Sequence, residues 1–116
     1  HRVHRRQRQM CIRDRSGSGP AYFFLFIESL TDAAIALGMN GESARKLALQ
    51  TALGASRLAS LSSEDAATLR KNVTSPGGTT EQAIQAFEAA DIRGIVAQAT
   101  QAAARRSLEL SKEFGA

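Results

Sequence analysis

The sequence predicts an all-α fold, a helical bundle of about five helices, and three observations predict it. The chain is rich in alanine, holds 2 prolines and no tryptophan, and is only 5% aromatic, a balance that favours helix over sheet. Apolar residues recur at helical spacing along most of its length, and no stretch alternates as a strand would. Between the periodic stretches stand residues that start and stop helices. At 116 residues the chain suits one domain, long enough to bury roughly two-thirds of its unfolded surface without disulfides or metals.

The charge is unevenly placed. The net +4 suggests a nucleic-acid binder, but residues 1–15 hold six arginines against Asp14 and so carry +5. The other residues hold nine basic and ten acidic side chains, which leaves −1. Residues 1–15 therefore read as a basic tail foreign to the domain, disordered or an artefact of the sequence, with the domain at 16–116. The tail has no apolar run of signal-peptide length, and its serine content is low for a transit peptide. It contains His1, His4 and Cys11, the chain's only histidines and cysteine, and their number and spacing fall short of a metal site. No disulfide is expected, which makes the cytoplasm the expected setting.

Each helix has its own signals. SGSGP (Ser16 to Pro20) leads in, with Pro20 suited to a first turn. The first helix carries a stripe of Phe23, Ile27, Leu30, Ala34 and Leu37, with Phe24, Phe26 and Ile35 off it, and Gly38 is its stop. Being apolar on every side from Ala21 to Ile27, it needs a second surface to cover it. Glu28 and Asp32 make it too short to span a membrane. The second helix, about Glu42 to Ala59, has a small-residue stripe that includes Ala44, Leu47, Ala48 and Leu58. A third runs to about Lys71, with Ser62 as cap and Asp65 in its first turn. Thr79 to Gln82 matches a Thr-x-x-Gln capping box and opens the fourth. Asp91 caps the fifth, whose stripe is Ile92, Val96, Ala99, Ala103, Leu110 and Phe114, and Gly115 closes it.

With the tail set aside, no histidine or cysteine is left for nucleophilic or imidazole chemistry. Glu28 and Asp32 read as the wet edge of the first helix. The loop NVTSPGGTTEQA, Asn72 to Ala83, is different in kind. Two glycines allow close approach of the backbone to a ligand, and the helix start behind them leaves N–H groups unpaired. Such a place suits an anion, and Ser75, Thr79 and Thr80 add hydroxyl donors. The physical chemistry admits equally a plain, well-capped turn between helices. No GK[ST] follows, so the loop is not a P-loop.

SGSGPAY, LRKNVTSPGGTT and AARRSLEL, in that order, resemble the C-terminal domain of pyrroline-5-carboxylate reductase over essentially Ser16 to Gly115. The resemblance implies an enzyme reducing 1-pyrroline-5-carboxylate to L-proline with NADPH or NADH, the last step of proline biosynthesis. It implies an interlocked homodimer, with a decamer of five dimers as a further level, and neither a nucleic-acid nor a membrane partner. On this sequence, Ser75 and the N–H groups of Thr79 and Thr80 would hold the substrate carboxylate. Asn72 and Val73 would shape the approach, and Pro76, Gly77 and Gly78 would set the turn. The Thr80 hydroxyl would lie near the ring nitrogen, as the one candidate catalytic group. A protonated imine is already electrophilic, so positioning is the main demand on the protein.

The departure from the family pattern is the missing GxGxxG turn and βαβ unit of an N-terminal Rossmann domain. These residues are therefore expected to supply dimerisation and substrate binding, with no metal, and to be inactive alone. The competing expectations are a structural helical dimerisation module without a ligand, and a nucleic-acid binder acting through the tail.

Overall fold

The computed structural model describes residues 7–114, with side chains from residue 19 onward. It is all-helical over those residues. The helices are α1 (Gln7–Ala36), α2 (Gly41–Leu61), α3 (Ala66–Asn72), α4 (Thr79–Ala89) and α5 (Ile92–Glu113). They fall into two compact units divided after Ser63. The first holds the α1–α2 hairpin, the second α3, α4 and α5.

α1 differs from expectation at its start. The helix begins at Gln7 and runs through Pro20, which lies inside it and not in its first turn. A proline removes one N–H and crowds the preceding turn; here it costs the helix a bond without ending it. The compositional break at residue 15 has no counterpart in secondary structure. His1 and His4 lie outside the described residues, and the side chain of Cys11 outside the described side chains.

The end of α1 is as the glycine predicts. Gly38 takes φ +110, its N–H donates to the Ile35 carbonyl at 2.9 Å, and Met39 N–H donates to Ala34 at 3.1 Å. This paired arrangement is the Schellman stop, which satisfies carbonyls the helix leaves open. Asn40 then caps α2, its side chain accepting the Ser43 N–H at 2.9 Å. Among the described side chains of this unit only Ala44 and Ala48 are buried, at 1% and 2% exposure. They stand one turn apart, and their small size lets α1 and α2 approach closely. Of the other stripe residues on α2, Leu47 and Leu58 remain 52% and 53% exposed.

The cap of α3 is Asp65, not Ser62. α2 continues to Leu61, which makes Ser62 its C-cap, with the Ser62 N–H donating to Leu58. The carboxylate three residues on then accepts the Thr68 N–H at 2.9 Å. Arg70 and Lys71 occupy the last turn of α3, where the helix dipole favours cations. In the same unit, Asp91 caps α5 as expected, in the left-handed conformation at φ 63 and accepting from Gly94 N–H. Arg93 forks onto Glu88 across the α4–α5 turn, with Nη2 to Oε2 at 2.6 Å. Phe114 forms the C-cap of α5, and Gly115, expected to close it, lies outside the described residues.

Much of the apolar surface of α1 and α5 is open. Phe23, Phe24 and Leu25 on α1 are exposed, and so are Val96 and Phe114 on α5. Exposed apolar residues in runs like that on α1 are what subunit interfaces cover.

Candidate functional site

The loop between α3 and α4 is built by three local devices. The first closes α3. The Thr74 hydroxyl donates to the Arg70 carbonyl at 2.6 Å, while Val73 and Thr74 N–H groups turn back to Arg70 and Lys71. Those carbonyls would otherwise lack partners at a helix end.

The second is a tight turn over Ser75, Pro76, Gly77 and Gly78. Gly78 N–H donates to the Ser75 carbonyl at 3.0 Å, and Gly77 takes φ +75. Proline at the second position and a positive-φ glycine at the third make this the type II pattern. A β-carbon on Gly78 would stand 3.2 Å from the Ser75 oxygen, so a side chain there would press on the turn, whereas Gly77 is favoured by its positive φ.

The third device departs from the expected capping box. Gly78, not Thr79, is the N-cap of α4, and it offers no side chain. Thr79 is already helical, which moves Gln82 out of the bracing position by one residue. Glu81 stands there instead, and its Oε1 accepts the Gly77 N–H at 2.7 Å. No pairing in the sequence template links these two; an acidic residue three positions past the glycine cap is the signal that would have found it.

The predicted site residues thus come together along one connection. Asn72 ends α3, its amide donating to Glu64 Oε1 at 3.3 Å. Val73 is the α3 C-cap and 64% exposed. Ser75, Pro76 and Gly77 are exposed, with Gly78 half-buried beneath them. Thr79 and Thr80 begin α4 with exposed side chains, and at the first two helical positions their N–H groups have no intrahelical acceptor. Beside them lies a shallow groove lined by Arg70, Lys71, Thr74, Glu81, Ile84 and Gln85. The arrangement offers the open backbone donors at the start of α4, up to three hydroxyls and nearby cations to a small anion. Among the described residues no group of histidine, cysteine and carboxylate side chains can hold a metal ion. No described helix is long and apolar enough to cross a membrane.

Fold and loop together define a class: an all-helical domain with open apolar helix faces and a donor-rich turn at a helix start. The sequence profile of the family described as "Pyrroline-5-carboxylate reductase dimerisation" matches residues 11–110, and the chain belongs to that family. The match begins inside the segment that charge had set apart. Pyrroline-5-carboxylate reductase of Pseudomonas aeruginosa is 52% identical over 100 residues, covering 86% of this chain and 37% of the relative. The enzyme of that name from Pisum sativum is 48% identical over 96 residues, covering 83% and 35%. Among solved structures, a pyrroline-5-carboxylate reductase from Coxiella burnetii superposes with a TM-score of 0.81 at 48% identity, covering 85% of this chain and 37% of that one. A Plasmodium falciparum pyrroline carboxylate reductase with NADP bound gives 0.78 at 37% identity, covering 81% and 36%. The chain therefore spans little more than a third of these relatives' length.

Proposed function

We propose that these residues are the dimerisation and substrate-binding part of a pyrroline-5-carboxylate reductase, which reduces 1-pyrroline-5-carboxylate to L-proline in the cytoplasm. The observation that carries the reading is the Ser75–Gly78 turn, which delivers the open N–H groups of Thr79 and Thr80 at the start of α4. A carboxylate there accepts two backbone bonds and gains the favourable end of the helix dipole. Ser75 supplies a further donor. In this reading the Thr80 hydroxyl meets the ring nitrogen, and Asn72 and Val73 border the approach. The open face of α1 is covered by a second copy, interlocked with the first, and such dimers join into a ring of five.

NADPH or NADH supplies the hydride in such an enzyme. The described residues include no strand and no GxGxxG turn, the parts from which a Rossmann dinucleotide unit is built. In this reading the chain pairs the subunits and binds and orients the substrate.

Titration of L-proline into the isotope-labelled chain tests the reading. Amide shifts confined to Gly77, Gly78, Thr79 and Thr80 are expected. Absence of any shift at millimolar proline would reduce the loop to a capped turn. The chain would then be a structural dimerisation module without a ligand, a reading favoured by the exposure of the Ser75, Thr79 and Thr80 side chains.

A further inference from the structure

The geometry points to Glu81 as a positioning residue of this loop, a built-in carboxylate that holds the Ser75–Gly78 turn in the form that binds the substrate's carboxylate. The inference rests on the carboxylate-binding reading above.

Glu81 is in the first turn of α4, where any acid gains from the helix dipole. Its contact is more specific than that. The Gly77 N–H reaches Oε1 at 2.7 Å, the short distance of a charge-assisted bond. Gly77 is the positive-φ residue of the turn, so its N–H points this way only while the turn keeps its shape. Gly78 N–H is meanwhile held by the Ser75 carbonyl. Both glycine N–H groups are thereby fixed within the protein, and the donors left open at the start of α4 are those of Thr79, Thr80 and Glu81.

The cap residue Gly78 has no side chain to brace the helix start, so the brace has to come from within α4. A free Gly77 N–H would also compete with the threonine donors for an incoming anion. Glu81 removes that competition and orders the turn before the ligand arrives, which lowers the entropic cost of binding. Its own charge is tolerated because the groove it lines also holds Arg70 and Lys71.

The test compares the isotope-labelled chain with Glu81→Gln and Glu81→Ala, reading Gly77 amide exchange and L-proline affinity. Circular dichroism confirms that each variant remains helical. Loss of a bond to a charged group corresponds to about a 10-fold change or more. Glu81→Ala is expected to accelerate Gly77 exchange and weaken proline binding by about that factor. Glu81→Gln, which keeps an oxygen acceptor, is expected to recover most of both. If Gly77 exchange in Glu81→Ala matches the parent chain, the brace does not exist. Faster exchange with undiminished proline affinity would leave Glu81 a helix-start residue with no part in binding. Should the parent chain bind no proline while Gly77 is still protected by Glu81, the carboxylate reading itself fails and the positioning role goes with it.

Discussion

The Asp91 carboxylate accepts the Gly94 N–H at 3.2 Å and occupies the space a β-carbon on residue 94 would need. Two residues are thereby tied together. Asp91 stands in the left-handed region at φ 63, which aspartate, asparagine and glycine tolerate better than other residues. Its side chain caps α5.

Substitutions at 91 should therefore rank in a definite order. Asp91→Asn keeps the acceptor and the tolerated backbone, and should remain near the parent stability. Asp91→Gly loses the cap bond but relieves the backbone, costing a few tenths of a kcal/mol. Asp91→Ala loses both, at about 2 kcal/mol. Gly94→Ala should gain nothing from its better helix propensity, because its β-carbon displaces the cap. Thermal unfolding of the four variants checks the order; Ala and Gly at 91 behaving alike would remove the backbone part of the argument.

Acid should weaken the chain through Asp65 and Glu88. The Thr68 backbone N–H, then its hydroxyl, holds the Asp65 carboxyl below its ordinary 3.8. The Arg93 guanidinium, through its hydrogen bonds, holds Glu88 below its ordinary 4.5. A carboxyl depressed on folding stabilises the protein above its unfolded pKa, and that stabilisation is lost as pH falls through the folded value. The unfolding midpoint should decline as pH drops below those ordinary values, with a shallower decline in an Asp65→Asn, Glu88→Gln double variant. Equal slopes in the two proteins would assign the acid response to other carboxylates.

Phe24 is 67% exposed on the most apolar part of α1, next to Phe23 at 69%. If a second copy covers that face, Phe24→Asp puts a charge into a dry interface. Self-association measured by sedimentation should weaken by at least about 10-fold. An unchanged dimer would move the interface away from this face of α1.

Thr80→Ala, placed in a reductase that includes the nucleotide-binding domain, should lower turnover clearly while Thr79→Ala spares it. In the proposed reading the Thr80 side chain meets the ring nitrogen, whereas Thr79 contributes through its backbone. Unchanged turnover in Thr80→Ala rejects that assignment.

Much of the helix plan was legible from local chemistry. Gly38 and Asp91 end and start their helices as their side chains dictate, because a stop or a cap involves residues only three to five apart. Errors came where two local signals competed. Thr79 and Gln82 fit a capping box, yet Gly78 took the cap because the Pro76–Gly77 turn brings the chain to the helix one residue earlier. Ser62 fits a cap as well, but α2 ran on and used it as an end. Pro20 suits a first turn, and the helix passed through it. In the candidate site, the turn and its glycines were readable, while the Glu81 and Asn72–Glu64 contacts were not.

By itself the sequence determined the all-α class, most helix ends, the presence of a turn at Pro76–Gly78 and the family. All of these rest on near-neighbour hydrogen bonds and residue identity, which need no knowledge of the rest of the molecule. The tertiary structure alone decided which apolar residues are buried. Helical periodicity marks a face without saying what lies against it, and here Ala44 and Ala48 are covered while Phe23 and Phe24 are not. It also decided which acid braces the loop, since Glu81 reaches Gly77 only once the turn and α4 have set their mutual angle.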